Sequence, residues 1–199
     1  MTLNRKHQNV SGNLKTVVIA IAGASGSGKS SLVRALAQRL KNTETMYFDD
    51  YRPNHENLTE DLQSLRRGNH ITYPVDNRRI DAGKVIILEE PTGRSRKGMS
   101  DKIDFLVYIN LPLEVSLARV LLRSIRQSED EDINAFYETI GPQFDPKFTE
   151  EKATKLMHIL VWQLEMYLKE HRTEYLVDHE SNLKDADLVV DGLKPLKQL

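Results

Sequence analysis

The sequence predicts a three-layer α/β domain, a mostly parallel sheet flanked by helices, and three observations carry that prediction. Continuous apolar runs recur along the 199-residue chain, at positions 17–22, 85–88 and 105–109; a strand that is apolar at every position is one covered on both faces. Segments with apolar residues three and four apart lie between these runs, and strands alternating with helices build parallel sheets. Between the first run and the first helical segment stands Gly23-Ala24-Ser25-Gly26-Ser27-Gly28-Lys29-Ser30, a glycine-rich turn placed where a strand hands over to a helix.

Taken in order, residues 1–15 are polar and read as a flexible leader, and residues 16–199 as one domain. The first strand spans 16–22. The helix after the glycine-rich turn carries Leu32, Val33, Leu36 and Leu40 and runs to about 41. A short strand, Thr45-Met46-Tyr47-Phe48, ends in Asp49-Asp50-Tyr51, and Pro53 with Asn54 breaks the chain. Leu58, Leu62 and Leu65 make one face of a helix that Gly68 stops. Residues 71–80 alternate weakly, as a small surface hairpin would. The strand at 85–88 is closed by Glu89-Glu90-Pro91, and that at 105–109 by Asn110 and Pro112. The next helix carries Val115, Leu117, Ala118, Leu121, Leu122 and Ile125, with Arg119, Arg123 and Arg126 along one side. An acidic stretch, 129–132, reads as a solvated flank. A long helix is expected over 149–171, and a last strand at 187–190, followed by Gly192.

The glycine-rich turn is G-x-x-x-x-G-K-[ST], in the strand–turn–helix context that gives it meaning. Glycines let successive backbone N–H groups turn inward on a phosphate chain, and the helix beginning near Lys29 adds the positive end of its dipole. Residues Gly23, Ala24, Ser25, Gly26, Ser27, Gly28, Lys29, Ser30 and Ser31 are therefore expected to hold ATP, with Lys29 on the β- and γ-phosphates and the Ser30 hydroxyl on Mg²⁺.

Composition narrows the partners. With 28 basic and 29 acidic residues the net charge is −1, so no nucleic-acid or membrane partner is expected on electrostatic grounds. The absence of cysteine excludes disulfides and thiolate metal sites and fits a reducing compartment. No apolar run approaches the roughly 20 residues that span a bilayer, and the first 15 residues lack a signal-peptide core. A soluble, cytoplasmic protein is expected, acting on a small molecule; a homo-oligomer is left open. The six histidines show no metal-ligand spacing, no G-x-S-x-G elbow occurs, and Trp162 falls inside the long helix as a packing residue.

In an open α/β sheet, ligands gather at the carboxyl ends of the strands, where this chain places Asp49 and Glu89. Phosphoryl transfer to a hydroxyl uses a carboxylate for the hydroxyl proton and acidic groups for Mg²⁺. Asp49 is the expected base, and Ser30, Asp49 and Glu89 the expected metal-side residues. Arg119 and Arg123 are expected on the phosphates, from a helical lid. No Asn-Lys-x-Asp tetrapeptide occurs, which counts against a GTPase.

These residues resemble the uridine kinase, phosphoribulokinase and nicotinamide riboside kinase group of P-loop kinases, over the span from the loop to about Arg126, with an echo at Ala186-Asp187. Asp49-Asp50-Tyr51 resembles the element that supplies that group's base, and the strand ending in Glu89 resembles the one that serves its metal. Pro74-Val75-Asp76 is similar to a shortened acceptor-binding element. The resemblance implies a phosphoryl transfer from ATP to an alcohol, with Arg123 on the phosphates and Asp76 on the acceptor; Tyr51, beside Asp49-Asp50, and Arg94, just past Glu89, are expected on the acceptor side as well. Arg94, Arg96 and Lys97, just past Glu89, would suit an anionic acceptor. Three departures accompany it: Val120 in place of a second lid arginine, Ser124 in place of a lid aspartate, and Glu90 in place of glycine. The alternative is a nucleotide-binding regulatory protein that has kept the loop without phosphotransfer.

Overall fold

The computed structural model describes residues 15–127 and 152–195. The leader, apart from Lys15, the acidic stretch at 129–132 and the first residues of the long helix lie outside them. The strands are β1 (Val17–Ala22), β2 (Thr43–Tyr47), β3 (Ile71–Thr72), β4 (Arg79–Ile80), β5 (Val85–Glu89), β6 (Phe105–Asn110) and β7 (Leu188–Asp191). The helices are α1 (Lys29–Arg39), α2 (Glu56–Arg66), α3 (Leu113–Gln127), α4 (Lys152–Met166) and α5 (Arg172–Asp185). A 3₁₀ turn, Phe48–Tyr51, follows β2, and a π-helical turn, Tyr167–His171, joins α4 to α5.

Five strands form one sheet in the order β2-β5-β1-β6-β7, every pairing parallel. From β1 the chain crosses to the edge strand β2, returns to β5 beside β1, then passes β1 to β6 and β7 on the other side, so β1 lies at the switch point. The two-residue period of a strand sorts its side chains between two layers. Val18, Ala20, Ala22, Ile86, Leu88 and Leu106 join Leu58, Leu62 and Leu65 of α2 in one buried cluster. Ile21, Ile87, Val107 and Ile109 face the other way, onto Leu32 and Val33 of α1. The hairpin β3–β4 is antiparallel and separate from the main sheet. It is not a surface appendage: Ile71, Tyr73 and Ile80 are buried in the first cluster.

The long helix departs from its sequence-based bounds. It passes through the π turn and continues as α5 to Asp185, where Leu176, Val177 and Leu183 stay exposed. It is seated instead by one polar contact and one close packing contact: Tyr108 Oη lies 2.7 Å from His179 Nδ1, and Asn182 is buried against Gly93. Gly93 has φ +64°, and a Cβ there would collide with Asn182 Oδ1. Trp162 packs with Leu156 against buried Ile159.

Asp104 ties the start of β6 to β1 and α2. Its carboxylate accepts the Val18 N–H at 2.9 Å and pairs with Arg66 Nη2 at 2.7 Å. Burial alone would raise its pKa, but these bonds hold the carboxyl below the usual carboxylate range. Because the folded-state value is depressed, the stability it contributes is complete above the ordinary value and lost as pH falls through the folded one. Asp104→Asn should lower the urea midpoint at neutral pH, and the gap to wild type should narrow as pH falls below the ordinary carboxylate range.

Candidate active site

Strand register assembles the site. Glu89 of β5 is paired with Ile21 of β1 on one side and Tyr47 of β2 on the other. Ile21 is two residues before Gly23 and Tyr47 two before Asp49, so three loops leave the sheet at one level. They open into a cleft of about 800 Å³. Its floor is Ser25, Gly26, Gly28, Lys29, Ser30 and Ser31, with Arg34 one turn further along α1. One wall carries Phe48, Asp49 and Arg52, and Glu89, Pro91, Thr92 and Arg96 follow from the end of β5. Arg119 and Arg123 come from α3, and His171, Glu174, Tyr175 and Asp178 from the π turn and α5.

The loop has the conformation its glycines allow. Gly26 and Gly28 have φ of +80° and +100°, and nothing lies within 4 Å of where a Cβ on Gly28 would point. Gly26 is needed for contact instead: a Cβ there would stand 2.7 Å from the Ser116 carbonyl and 3.2 Å from a Val120 methyl. Ser116 Oγ donates a short hydrogen bond to the Ser25 carbonyl. Arg119 donates from Nη2 to the Gly192 carbonyl at 3.1 Å. The first half of α3 is thus a fixed wall rather than a free lid; its continuation, 128–151, lies outside the described residues. A smaller hollow of about 150 Å³ adjoins the loop, between Ser27, Leu32, Arg119 and the turn at Gly192.

Lys29 is almost wholly buried, 6% exposed. Its Nζ donates to the Ala24 carbonyl at 3.1 Å and lies 3.8 Å from Glu89 Oε1. Burial pushes its pKa below the ordinary lysine value, with Glu89 and Asp49 pulling the other way. A polyanion placed in the loop would favour the charged form again. The Ser27 hydroxyl is buried without a partner among the described residues, as fits a loop shaped for a ligand. The oxygen donors at hand, Ser30 and Glu89 with Asp49 nearby, suit a hard cation such as Mg²⁺. Among the described residues no three acidic or histidine side chains converge on one point. An ion here would draw further ligands from phosphate and water, as Mg²⁺ commonly does.

The adjacent acids part company. Asp50 accepts a short hydrogen bond from Tyr73 Oη, which itself accepts the Tyr47 N–H at 3.0 Å; it anchors the hairpin. Asp49 lines the cleft, exposed and paired with Arg52 at 2.9 Å. A surface pair of this kind is worth about 1 kcal/mol or less and yields easily.

The three residues expected on the acceptor side are not brought to the cleft. Tyr51 is 4% exposed and donates to Asp61 at 2.8 Å. Asp76 sits in the hairpin turn, paired with Arg78 at 2.8 Å. Arg94 donates to the Asp185 carbonyl at 2.7 Å and to Asp187 at 2.6 Å, and Asp187 also accepts the Leu106 N–H at 2.7 Å. Arg94 is a clasp between α5, β6 and β7. Arg94→Ala should lower unfolding stability by about 1–3 kcal/mol, read by urea titration, while any acceptor KM stays within about twofold of wild type.

Arg34, Arg52, Thr92 and the α5 residues enter the cleft without a sequence-based expectation, and Arg96 enters it without the Arg94 and Lys97 with which its spacing groups it. Arg34 is legible in hindsight, four positions after Ser30 and so on the same helix face. Glu174, Tyr175 and Asp178 carry no signal, because the apolar spacing fades before α5.

A glycine loop after the central strand of a parallel sheet, with a buried lysine and strand-end carboxylates, is the arrangement of the P-loop NTPase fold. Residues 2–73 match the Zeta toxin family. Uridine kinases of Escherichia fergusonii and Salmonella typhimurium are each 27% identical over 168 residues, covering 64% of this chain and 79% of theirs. Among solved structures, a possible uridine kinase from Bacillus stearothermophilus is 18% identical, with TM-score 0.47 and 89% of each chain covered. A gluconokinase from Sinorhizobium meliloti is 17% identical, with TM-score 0.39, covering 92% of this chain and 86% of its own. The chain is thus similar to uridine kinases over part of its length.

Proposed function

We propose that this protein transfers the γ-phosphoryl group of ATP to a hydroxyl of a small metabolite. The observation that carries the reading is the register that sets Lys29, Glu89 and Asp49 around one cleft. The loop amides and Lys29 would hold the β- and γ-phosphates, with the nucleoside end toward the hollow beside Arg119 and Gly192. Ser30 and Glu89 would hold Mg²⁺, whose contribution when bound is to offset phosphate charge. The acceptor oxygen forms its bond to the γ-phosphorus as the bridging P–O bond to the β-phosphate breaks. ADP leaves with that electron pair, and the hydroxyl proton passes to the Asp49 carboxylate. Arg119 and Arg123 stand where charge spreads over the transferring oxygens.

The 27% identity to uridine kinases leaves the acceptor to be identified. The test is ADP release with Mg²⁺·ATP against pools of nucleosides, vitamin precursors, sugars and sugar phosphates. ADP that depends on one pool supports the reading. ATP binding without acceptor-dependent ADP from any pool overturns it in favour of a nucleotide-responsive regulator.

A further inference from the structure

Glu90, directly after β5, is wholly buried. Burying a carboxylate is expensive unless it is bonded, and this one is bonded at one oxygen only. Oε1 accepts Arg96 Nε at 2.8 Å, Thr92 Oγ1 at 3.0 Å and the Thr92 N–H at 3.2 Å; Oε2 has no partner among the described residues. Arg96 is held from a second direction. Its guanidinium carbon lies 3.9 Å from the centre of the Phe48 ring, and that ring stacks on His55 at 3.9 Å and 12°. With Nε taken by Glu90 and one face taken by Phe48, the orientation of the fork is set. Among the described residues the Arg96 side chain donates no other hydrogen bond, and it lines the cleft.

Phe48 precedes Asp49, so this fork stands on the base's side of the cleft. His55 registers the same neighbourhood: burial, then Arg96 and Arg52, lower its pKa, while Asp49 raises it. A fixed guanidinium is planar, always charged and matched to carboxylate or phosphate through two parallel bonds. Its rotamer entropy is already lost before any ligand arrives. Glu174 and Asp178 on α5 line the cleft too. They can accept hydroxyl hydrogens from the same molecule, and Asp178 lies within electrostatic reach of Arg96.

Resting on the phosphotransferase reading and extending it, we infer that Arg96 reads an oxyanion on the acceptor. The acceptor is a hydroxylated anion, a sugar phosphate or a sugar acid, rather than an uncharged nucleoside. Glu90 is the positioning residue: it acts through Arg96.

The experiment compares matched acceptors, ribose with ribose 5-phosphate and ribonate, glucose with glucose 6-phosphate and gluconate, and uridine as the uncharged nucleoside. Wild type should turn over one anionic member of a set with kcat/KM at least about tenfold above its neutral parent, and the phosphate and carboxylate arms tell the two sources apart. Arg96→Gln should reduce that preference about ten- to a hundredfold, through acceptor KM, while KM for ATP stays within about twofold. Arg96→Lys, which keeps the charge without the fork, should restore only part of the preference, and Glu90→Gln should lower it with a smaller change. If Arg96→Gln does not fold, the wild-type ratios together with Arg96→Lys and Glu90→Gln still decide. A neutral parent or uridine used as well as the anions, or a preference intact in Arg96→Gln, overturns the inference and leaves the kinase reading standing. ATP binding with no acceptor of either charge raising ADP release removes the kinase reading, and this inference with it.

Discussion

Asp49→Asn should lower kcat by about 10²–10⁴-fold, the usual contribution of a positioned general base, with ATP affinity changed by less than about threefold. Among the described residues Asp49 holds no other element of the fold in place. It is exposed, and its ion pair is to Arg52, itself exposed, so replacing carboxylate by carboxamide leaves the fold untouched. Its neighbour Asp50 carries the structural work through Tyr73. What the carboxamide lacks is an oxygen basic enough for the hydroxyl proton. Isothermal titration with ATP beside a steady-state ADP assay separates binding from turnover. Unchanged turnover in the variant would remove Asp49 from the mechanism.

Lys29→Met should be as damaging for the opposite reason. The substitution keeps the apolar stem and deletes the ammonium that faces Glu89 and the loop. A lost charge-stabilising donor at the reacting phosphate costs about 10²–10³ in kcat, and a lost charged hydrogen bond about ten- to a hundredfold in ATP affinity. The free protein should be no less stable than wild type. Burial already depresses the Lys29 pKa, and exchanging a desolvated ammonium for a thioether relieves that strain on the fold. Calorimetry of the ligand-free variant checks this; a melting temperature well below wild type would mean that Lys29 is a structural cation first.

How much was legible follows from the kind of signal each residue leaves. Three strands of the main sheet, β1, β5 and β6, are built on continuous apolar runs, and a run that can only be buried declares itself. The loop declares itself by spacing. Glu89 could be placed because it closes such a run, and Asp49 because it follows the short strand Thr45-Met46-Tyr47-Phe48. Arg94 and Arg96 could not be told apart, since two arginines two positions apart in a short loop read alike. Only the packed structure shows one turned to Asp187 and the other to Glu90. The continuation into α5 was hidden because it is seated by His179 and Asn182, polar residues that meet Tyr108 and Gly93 on other parts of the chain.

The close seat of α3 on the loop bears on the valine at position 120. With a Val120 methyl already where a Cβ on Gly26 would crowd it, a long side chain at 120 has to swing clear of the loop or lift the helix from it. An arginine there would have to meet the same constraint, beside the seam where Ser116 Oγ bonds the Ser25 carbonyl. The substitution pattern of this chain is therefore internally consistent. A tight seam at Val120 removes one cation from the helix side, and the cation fixed by Glu90 stands on the other bank of the cleft.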